Sequence, residues 1–382
     1  MEETIKEHLQ VEIKCPVRLS TDQIDGSWQT PITPFFSSRS KSKSNTWIIS
    51  LFVVIHLVVF AATMIVNDCS RNSNGNCVFR SLGRISFQPL SENPLLGPSS
   101  STLDKMGALQ KKLLIQQHQM WRLFTASWLH AGIIDLVINL SSVIFVGIYL
   151  EQVFGSLRVG LVYTLSAFIG SLLAALFVKN NPAVASSGAL FGLLGSMLSA
   201  LIRNWKIYSD KYAALVTLFS LVVFNITLGL LPHVDNFSNL GGFVSGILLG
   251  FVLFFNPLVG QVPHNKRGLF EYNDKSSVQF KHKLDKPVMR SISLILFSLL
   301  FAGGLLAVLH GVNARNYCSW CHHIDCLPCK WWSCNDKDML CEVTVSAGRL
   351  TLACRNNGHY RTYPYTDISQ ARIGDLCTAI CS

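Results

Sequence analysis

The chain has 382 residues, 49% of them hydrophobic and 14% charged, with a mean hydropathy of +0.35. That apolar content excludes a string of water-soluble domains and points to a polytopic membrane protein. The net charge of +10 is not a nucleic-acid footprint, because Lys and Arg sit mostly in short connectors between apolar runs, where they set orientation, so no nucleic-acid partner is expected.

Residues 1–46 are polar, carry the serine-rich run SSRSKSKSN and read as a disordered tail. They lack the apolar core of a cleavable signal peptide. Glu2, Glu3, Glu7, Glu12, Asp22 and Asp25 make them too acidic for an organelle transit peptide. The first apolar run then serves as a signal anchor. Seven runs predict membrane spans at 47–66, 132–150, 159–178, 184–202, 212–231, 236–255 and 291–309. Arg39, Lys41 and Lys43 precede the first span and Arg158 follows the second. Arg203 and Lys206 follow the fourth, and a basic stretch from Lys266 to Arg290 precedes the seventh. This distribution places the amino terminus in the cytosol and, after seven crossings, the carboxyl tail in the lumen or outside the cell. The expected location is the endomembrane system (Golgi or ER) or the plasma membrane. The organisation read from this is a tail at 1–46, a six-helix membrane domain at 47–255, a basic cytosolic linker at 256–290, a seventh helix at 291–310 and a Cys-rich tail at 311–382. The fold class expected is all-α and polytopic.

Between the first two spans lies a non-cytosolic loop that ends in WRLFTASWLHAG, whose Trp121, Phe124 and Trp128 suit the membrane interface. Cys69 and Cys77 in this loop can pair. The tail holds cysteines 318, 321, 326, 329, 334, 341, 354, 377 and 381. With His322 and His323 beside it, the spacing CSWCHHIDCLPCKWWSC is compatible with tetrahedral zinc. In an oxidising compartment the same density means disulfides, and the charge-derived orientation favours these, with no metal and no cofactor assigned. A further possibility is that this tail binds a lumenal partner while the bundle anchors it.

Polar residues converge within the membrane. Ser187 lies about three residues into span four, Asn239 three into span six, and Asp135 and Asn139 one turn apart at the same end of span two. Gly188, Gly192 and Gly195 in span four, and Gly242, Gly246 and Gly250 in span six, recur at helical spacing and allow close backbone approach. Taken alone, such stripes are packing. A transporter or channel is a further class, but the spans lack recurring charges and no inverted repeat is evident.

Together, WRLFTASWLHAG, LEQVFGSLR, SSGALFGLLG and VDNFSNLGGFVSG resemble rhomboid intramembrane serine proteases over residues 47–255, and the seventh span and Cys-rich tail resemble plant rhomboid-like proteins. The resemblance implies a six-helix bundle that cuts peptide bonds within membrane segments with a serine and a histidine. Ser187 falls on the serine of the GxSG motif, with Ala185 in place of its glycine. Trp121 and Arg122 match the first-loop motif, His130 matches a structural hydrogen-bonding position, and Glu151 with Arg158 match the segment after the second helix. Two further positions depart. Asn239 stands where the family's catalytic histidine is placed, and Asp135 replaces the histidine that precedes Asn139 in the oxyanion-side pattern. A carboxamide has no useful basicity, and a carboxylate opposes the charge that develops on an oxyanion and is a poor base for a serine hydroxyl. His233 lies in the connector before span six and reads as a surface residue. The expectation is an inactive rhomboid-type protein whose partners are transmembrane segments of client proteins and membrane lipid. The alternative is an active intramembrane endopeptidase with a non-standard base.

Overall fold

The computed structural model describes residues 46–69, 77–90, 92–178, 181–203, 205, 211–231, 233–254, 287–318, 321, 324, 341–346, 349–354, 358–364, 373, 376–377 and 379–380. The readings made for the tail 1–45, for 255–286, and for His322, His323 and cysteines 326, 329, 334 and 381 fall outside the described residues.

Seven long helices run through the described chain: α1 (Ile48–Asn67), α2 (Ile133–Phe154), α3 (Ser156–Leu176), α4 (Ser187–Arg203), α5 (Lys211–Leu228), α6 (Asn236–Leu253) and α7 (Pro287–Leu309). Of these, α1, α2, α3, α6 and α7 are long and apolar enough to cross a membrane, while α4 and α5 are shorter apolar helices. The protein is a mostly helical polytopic membrane protein. α7 begins at Pro287, ahead of the start read from hydropathy, because proline is well placed in a first helical turn, where its missing N–H has no partner to lose.

α4 is buried on nearly every side, as a helix that is apolar or small all round must be, and so forms the centre of the bundle. Its 17 residues rise about 26 Å, less than a hydrocarbon core of about 30 Å. α2 and α3 are joined by Gly155 alone, at φ 90°, a left-handed conformation that a side chain would strain. Phe154 at this corner stacks on Phe254 at 4.1 Å, so the end of α6 closes against the α2–α3 turn.

No side chain in its own first turn caps α1. The Glu151 carboxylate does so from α2, accepting from Ile48 N at 2.9 Å, Ile49 N at 3.1 Å and Ser156 Oγ at 2.6 Å. Two orphan amide groups of one helix are thereby satisfied by a charge at the end of another. The loop between α1 and α2 is also organised by buried polar groups. Asn67 Oδ1 accepts from Gln88 Nε2, Ser99 N and Thr102 Oγ1, and Asn93 Nδ2 donates to Pro98 O and Ala131 O. Cys69 and Cys77 form a disulfide.

The tail corrects the all-α expectation. Cys341–Ser346, Arg349–Cys354 and Tyr360–Pro364 form an antiparallel sheet, β1 to β3, in that order. Along β2, Leu350, Leu352 and Cys354 are buried at period two, against Cys341, Ile373, Cys377 and Ile380. Alternation of apolar and polar residues at period two gives a short segment one apolar face, which suits a sheet and not a helix. Disulfides join Cys318 to Cys321 and Cys341 to Cys377.

Candidate functional site

The site is set by a short extended segment ahead of α4. Ala183 exchanges two backbone hydrogen bonds of 2.9 Å with Leu109, Val184 N donates to His233 O at 2.8 Å, and Ala185 N donates to Ala126 O at 2.9 Å. Ser238 Oγ of α6 then bonds Ala185 O at 3.0 Å. This segment is extended, so the helix starts at Ser187 itself and not three residues earlier. The serine therefore sits at the amino end of the short central helix, held by the first loop on one side and by the approach to α6 on the other.

Below it, α4 and α6 touch backbone to backbone. A Cβ on Gly242 would collide with Gly188 O, one on Gly246 with Gly192 O, and one on Gly192 with Ser166 of α3. Small residues are obligatory here for contact geometry. This seam brings Asn239 into the same end of the bundle as Ser187.

Four polar residues expected to converge are buried: Ser187 at 7% exposure, Asn239 at 2%, Asp135 at 5% and Asn139 at 4%. Their hydrogen bonding divides them. Asn239 Nδ2 donates to Asn236 Oδ1 at 2.8 Å. Ser187 Oγ, Asn239 Oδ1 and Asn139 Nδ2 have no partner among the described residues. Asp135 is engaged, since its Oδ2 accepts from Ala131 N at 3.1 Å and from His130 Nδ1 at 3.0 Å, in the first turn of α2, where a negative charge is favoured.

His130 is committed on both ring nitrogens. Its Nε2 lies 3.2 Å from His56 Nδ1, and His56 Nε2 lies 2.8 Å from Tyr163 OH. With the Asp135 carboxylate as terminal acceptor, every proton points one way: the Tyr163 hydroxyl donates to His56, His56 to His130, and His130 to Asp135. Ser186 Oγ lies 3.3 Å from His130 Nδ1 and accepts from the same N–H. The imidazole beside the serine pair thus serves a structural chain. Ser187 Oγ has no basic partner among the described residues.

The other residues read from the motifs are supports. Arg122 is buried and donates Nη1 to Asp104 O and Ala108 O at 2.8 Å and Nε to Gln119 Oε1 at 2.7 Å, binding the first loop to itself. Trp121 is half-exposed and its ring lies 4.8 Å from the Arg122 guanidinium carbon. Burial pushes the Asp104 carboxyl up to about 6, although the Arg122 charge opposes the rise. Burial lowers Arg122 in turn. Arg158 is half-buried in the first turn of α3. His233 is not a surface residue: it is half-buried at φ 67°, and its Nδ1 donates to Pro182 O at 3.0 Å beside the extended segment. Sequence reasoning missed His56, Tyr163 and Asn236. A histidine inside the apolar run of α1 was the one visible signal for the first.

The Rhomboid domain family model matches residues 117–256, which cover the first-loop motif through α6. Three relatives from Arabidopsis thaliana are similar over most of the chain. "Inactive RHOMBOID-like protein 8" is 51% identical over 84% of this chain and 92% of its own length. "RHOMBOID-like protein 1" is 45% identical over 88% of this chain and 85% of its own length. "RHOMBOID-like protein 6, mitochondrial" is 43% identical over 78% of this chain and 96% of its own length. Identity at this level over nearly whole chains, on a mostly helical membrane fold whose central helix opens on the SSG motif, means that the chain belongs to the rhomboid family.

Proposed function

We propose that this chain is a catalytically silent rhomboid that holds transmembrane segments of client membrane proteins without cutting them. The observation that carries the reading is the pairing of Ser187 and Asn239. The hydroxyl has no hydrogen-bond partner among the described residues, and the position that matches the family histidine holds a carboxamide tied to Asn236. A serine hydroxyl needs a neighbouring base, and loss of the histidine alone costs about 10⁶ in turnover in an unrelated serine protease. Asp135 on the oxyanion side is occupied by His130 and Ala131 N, and so offers acceptors where donors are needed. The polar groups left unpartnered below the surface suit a client helix with polar or weakly packed residues, which finds partners there that lipid does not provide.

In this reading all seven helices cross the bilayer, α4 and α5 included. The amino terminus is cytosolic and the tail faces the lumen of the endomembrane system or the cell exterior. Two disulfides support the orientation. Cys69–Cys77 follows α1 and Cys318–Cys321 follows α7, so seven crossings put both on one oxidising side.

The deciding test uses the purified full-length protein in liposomes with a model membrane substrate and a fluorophosphonate probe. No cleavage that depends on Ser187 and no labelling are expected. Cleavage abolished by Ser187→Ala would instead establish an active endopeptidase with a non-standard base. Client binding is tested by photo-crosslinking to helices that carry one central Asn, with an all-leucine helix as the reference.

A further inference from the structure

We infer that hairpin 77–88 of the first loop is a wedge set into the headgroup boundary of the bilayer, where Arg80 and Arg84 at its tip bind the phosphate of an anionic phospholipid. Both legs are tied to the end of α1. Cys77 is joined to Cys69 by the disulfide, and Gln88 Nε2 donates to Asn67 Oδ1 at 3.2 Å. Between these ties Val78 and Phe87 exchange backbone hydrogen bonds of 3.0 and 3.2 Å. The base stands at membrane depth. Phe87 is buried with Phe60 and Met64 in the last turns of α1 and with Leu136 and Leu140 in the first turns of α2, and Val78 packs on the same cluster. Both helices are long and apolar enough to cross a membrane. The tip, Arg80–Ile85, lies against α1 as well, so the hairpin runs alongside the end of that span.

The tip turns apolar side chains outward. Phe79, Leu82 and Ile85 are 59%, 50% and 46% exposed, whereas Phe87 at the base is buried. Their display is fixed by the backbone. Phe79 sits at φ 55°, a conformation that bulky residues avoid and that persists where the surroundings enforce it. Ser86 is fully buried and shares its hydroxyl hydrogen between Phe79 O at 3.3 Å and Gly83 O at 2.5 Å, while Leu82 N donates to Phe79 O at 3.0 Å. In water a rigid tip of three large apolar groups is unfavourable; at the headgroup–acyl boundary the same groups leave water. Lipid already surrounds the end of α1, where Ile65 and Val66 are exposed too, and so meets the tip without a further partner. Charge selects which lipid. From Cys77 to Gln88 the sequence carries Arg80 and Arg84 and no acidic residue. Arg80 is exposed and has no polar partner among the described residues. Arg84 meets Asp68 Oδ2 through Nε at 3.5 Å, with 71% of its side chain exposed. Arginine stems lie along apolar surface while their planar forks reach phosphate oxygens, which they bind in pairs. Neither contact depends on the client binding proposed above.

The test uses the full-length protein in nanodiscs of phosphatidylcholine with a minority of phosphatidylglycerol. A photoreactive p-benzoylphenylalanine replaces Leu82 or, as the control, the exposed Leu299 of α7. Light should attach lipid at both positions, with phosphatidylglycerol enriched about fivefold at 82 relative to 299. In Arg80→Gln/Arg84→Gln the enrichment at 82 disappears while the total lipid yield persists, because the apolar side chains remain seated. In Phe79→Ser/Ile85→Ser the total yield at 82 falls several-fold and the yield at 299 does not, which controls for folding. Lipid attached at 299 and absent at 82 overturns the wedge. Equal phosphatidylglycerol shares at the two positions in wild type overturn the phosphate contact. In native membranes, an adduct at 82 to a single protein in place of lipid would make this surface a protein interface and overturn the lipid assignment.

Discussion

At the end of the bundle where α1 begins, Glu151 places both carboxylate oxygens on three donors. At the other end, where α4 begins, Ser187 Oγ, Asn139 Nδ2 and Asn239 Oδ1 are equally buried and have no partner among the described residues. Ser166 Oγ and Asp104 Oδ1 share that condition, Ser166 facing Gly192 of α4 and Asp104 lying in the first loop. Buried polar groups with partners in their own chain stabilise the fold. Those without partners are satisfied by water or by a bound group, so the two ends answer different demands.

The contrast breaks most visibly at Glu151. Glu151→Ala leaves the Ile48 and Ile49 amides and the Ser156 hydroxyl without their acceptor, and an unfolding titration in detergent should show a loss of about 3 kcal/mol or more. His130→Ala comes next. It takes one partner each from Asp135 and His56 and should cost about 2 kcal/mol, with His56→Ala in the same range and the double variant less than additive. Additive losses would show that the residues do not act as one chain.

A smaller effect concerns pH. Asp104 is raised from its ordinary value of about 4 to about 6 by burial, so the folded state keeps the proton through a window in which the unfolded chain has lost it. Stability is therefore highest below this window, falls as pH rises through it and levels off above. Melting temperatures in detergent across the window should follow that slope, and Asp104→Asn should flatten it. Smallest of all is Ser187→Ala, which removes an orphaned hydroxyl and should change stability by no more than about 0.5 kcal/mol. A loss comparable to that of His130→Ala would mean that Ser187 is a fold residue like Glu151, and the contrast would disappear.

The helices were legible because a membrane interior accepts little but long apolar helices, and hydropathy reports that demand directly. The glycine seam was legible for a similar reason, since Gly188, Gly192, Gly242 and Gly246 recur at helical spacing. Partner identity was not. The amides that Glu151 caps lie more than a hundred positions away in the chain, as does Tyr163 from His56, and no local pattern encodes such pairings. The β-sheet of the tail was hidden by its cysteines, which drew the reading to spacing and away from the alternation of Leu350, Leu352 and Cys354. Asp135 was read as a spoiled oxyanion residue, and its attachment to His130 became visible only once the first loop was folded over α2.

The row of hydrogens running from Tyr163 to Asp135 has a consequence for any exchange at its acceptor end. Exchanging aspartate for imidazole at its terminus removes the sink toward which every upstream proton leans, so three rings in α1, the first loop and α3 must reorient together. Any exchange at Asp135 is therefore felt over several helices, and a change at this one position cannot be made without the rearrangement of residues far from it in the chain.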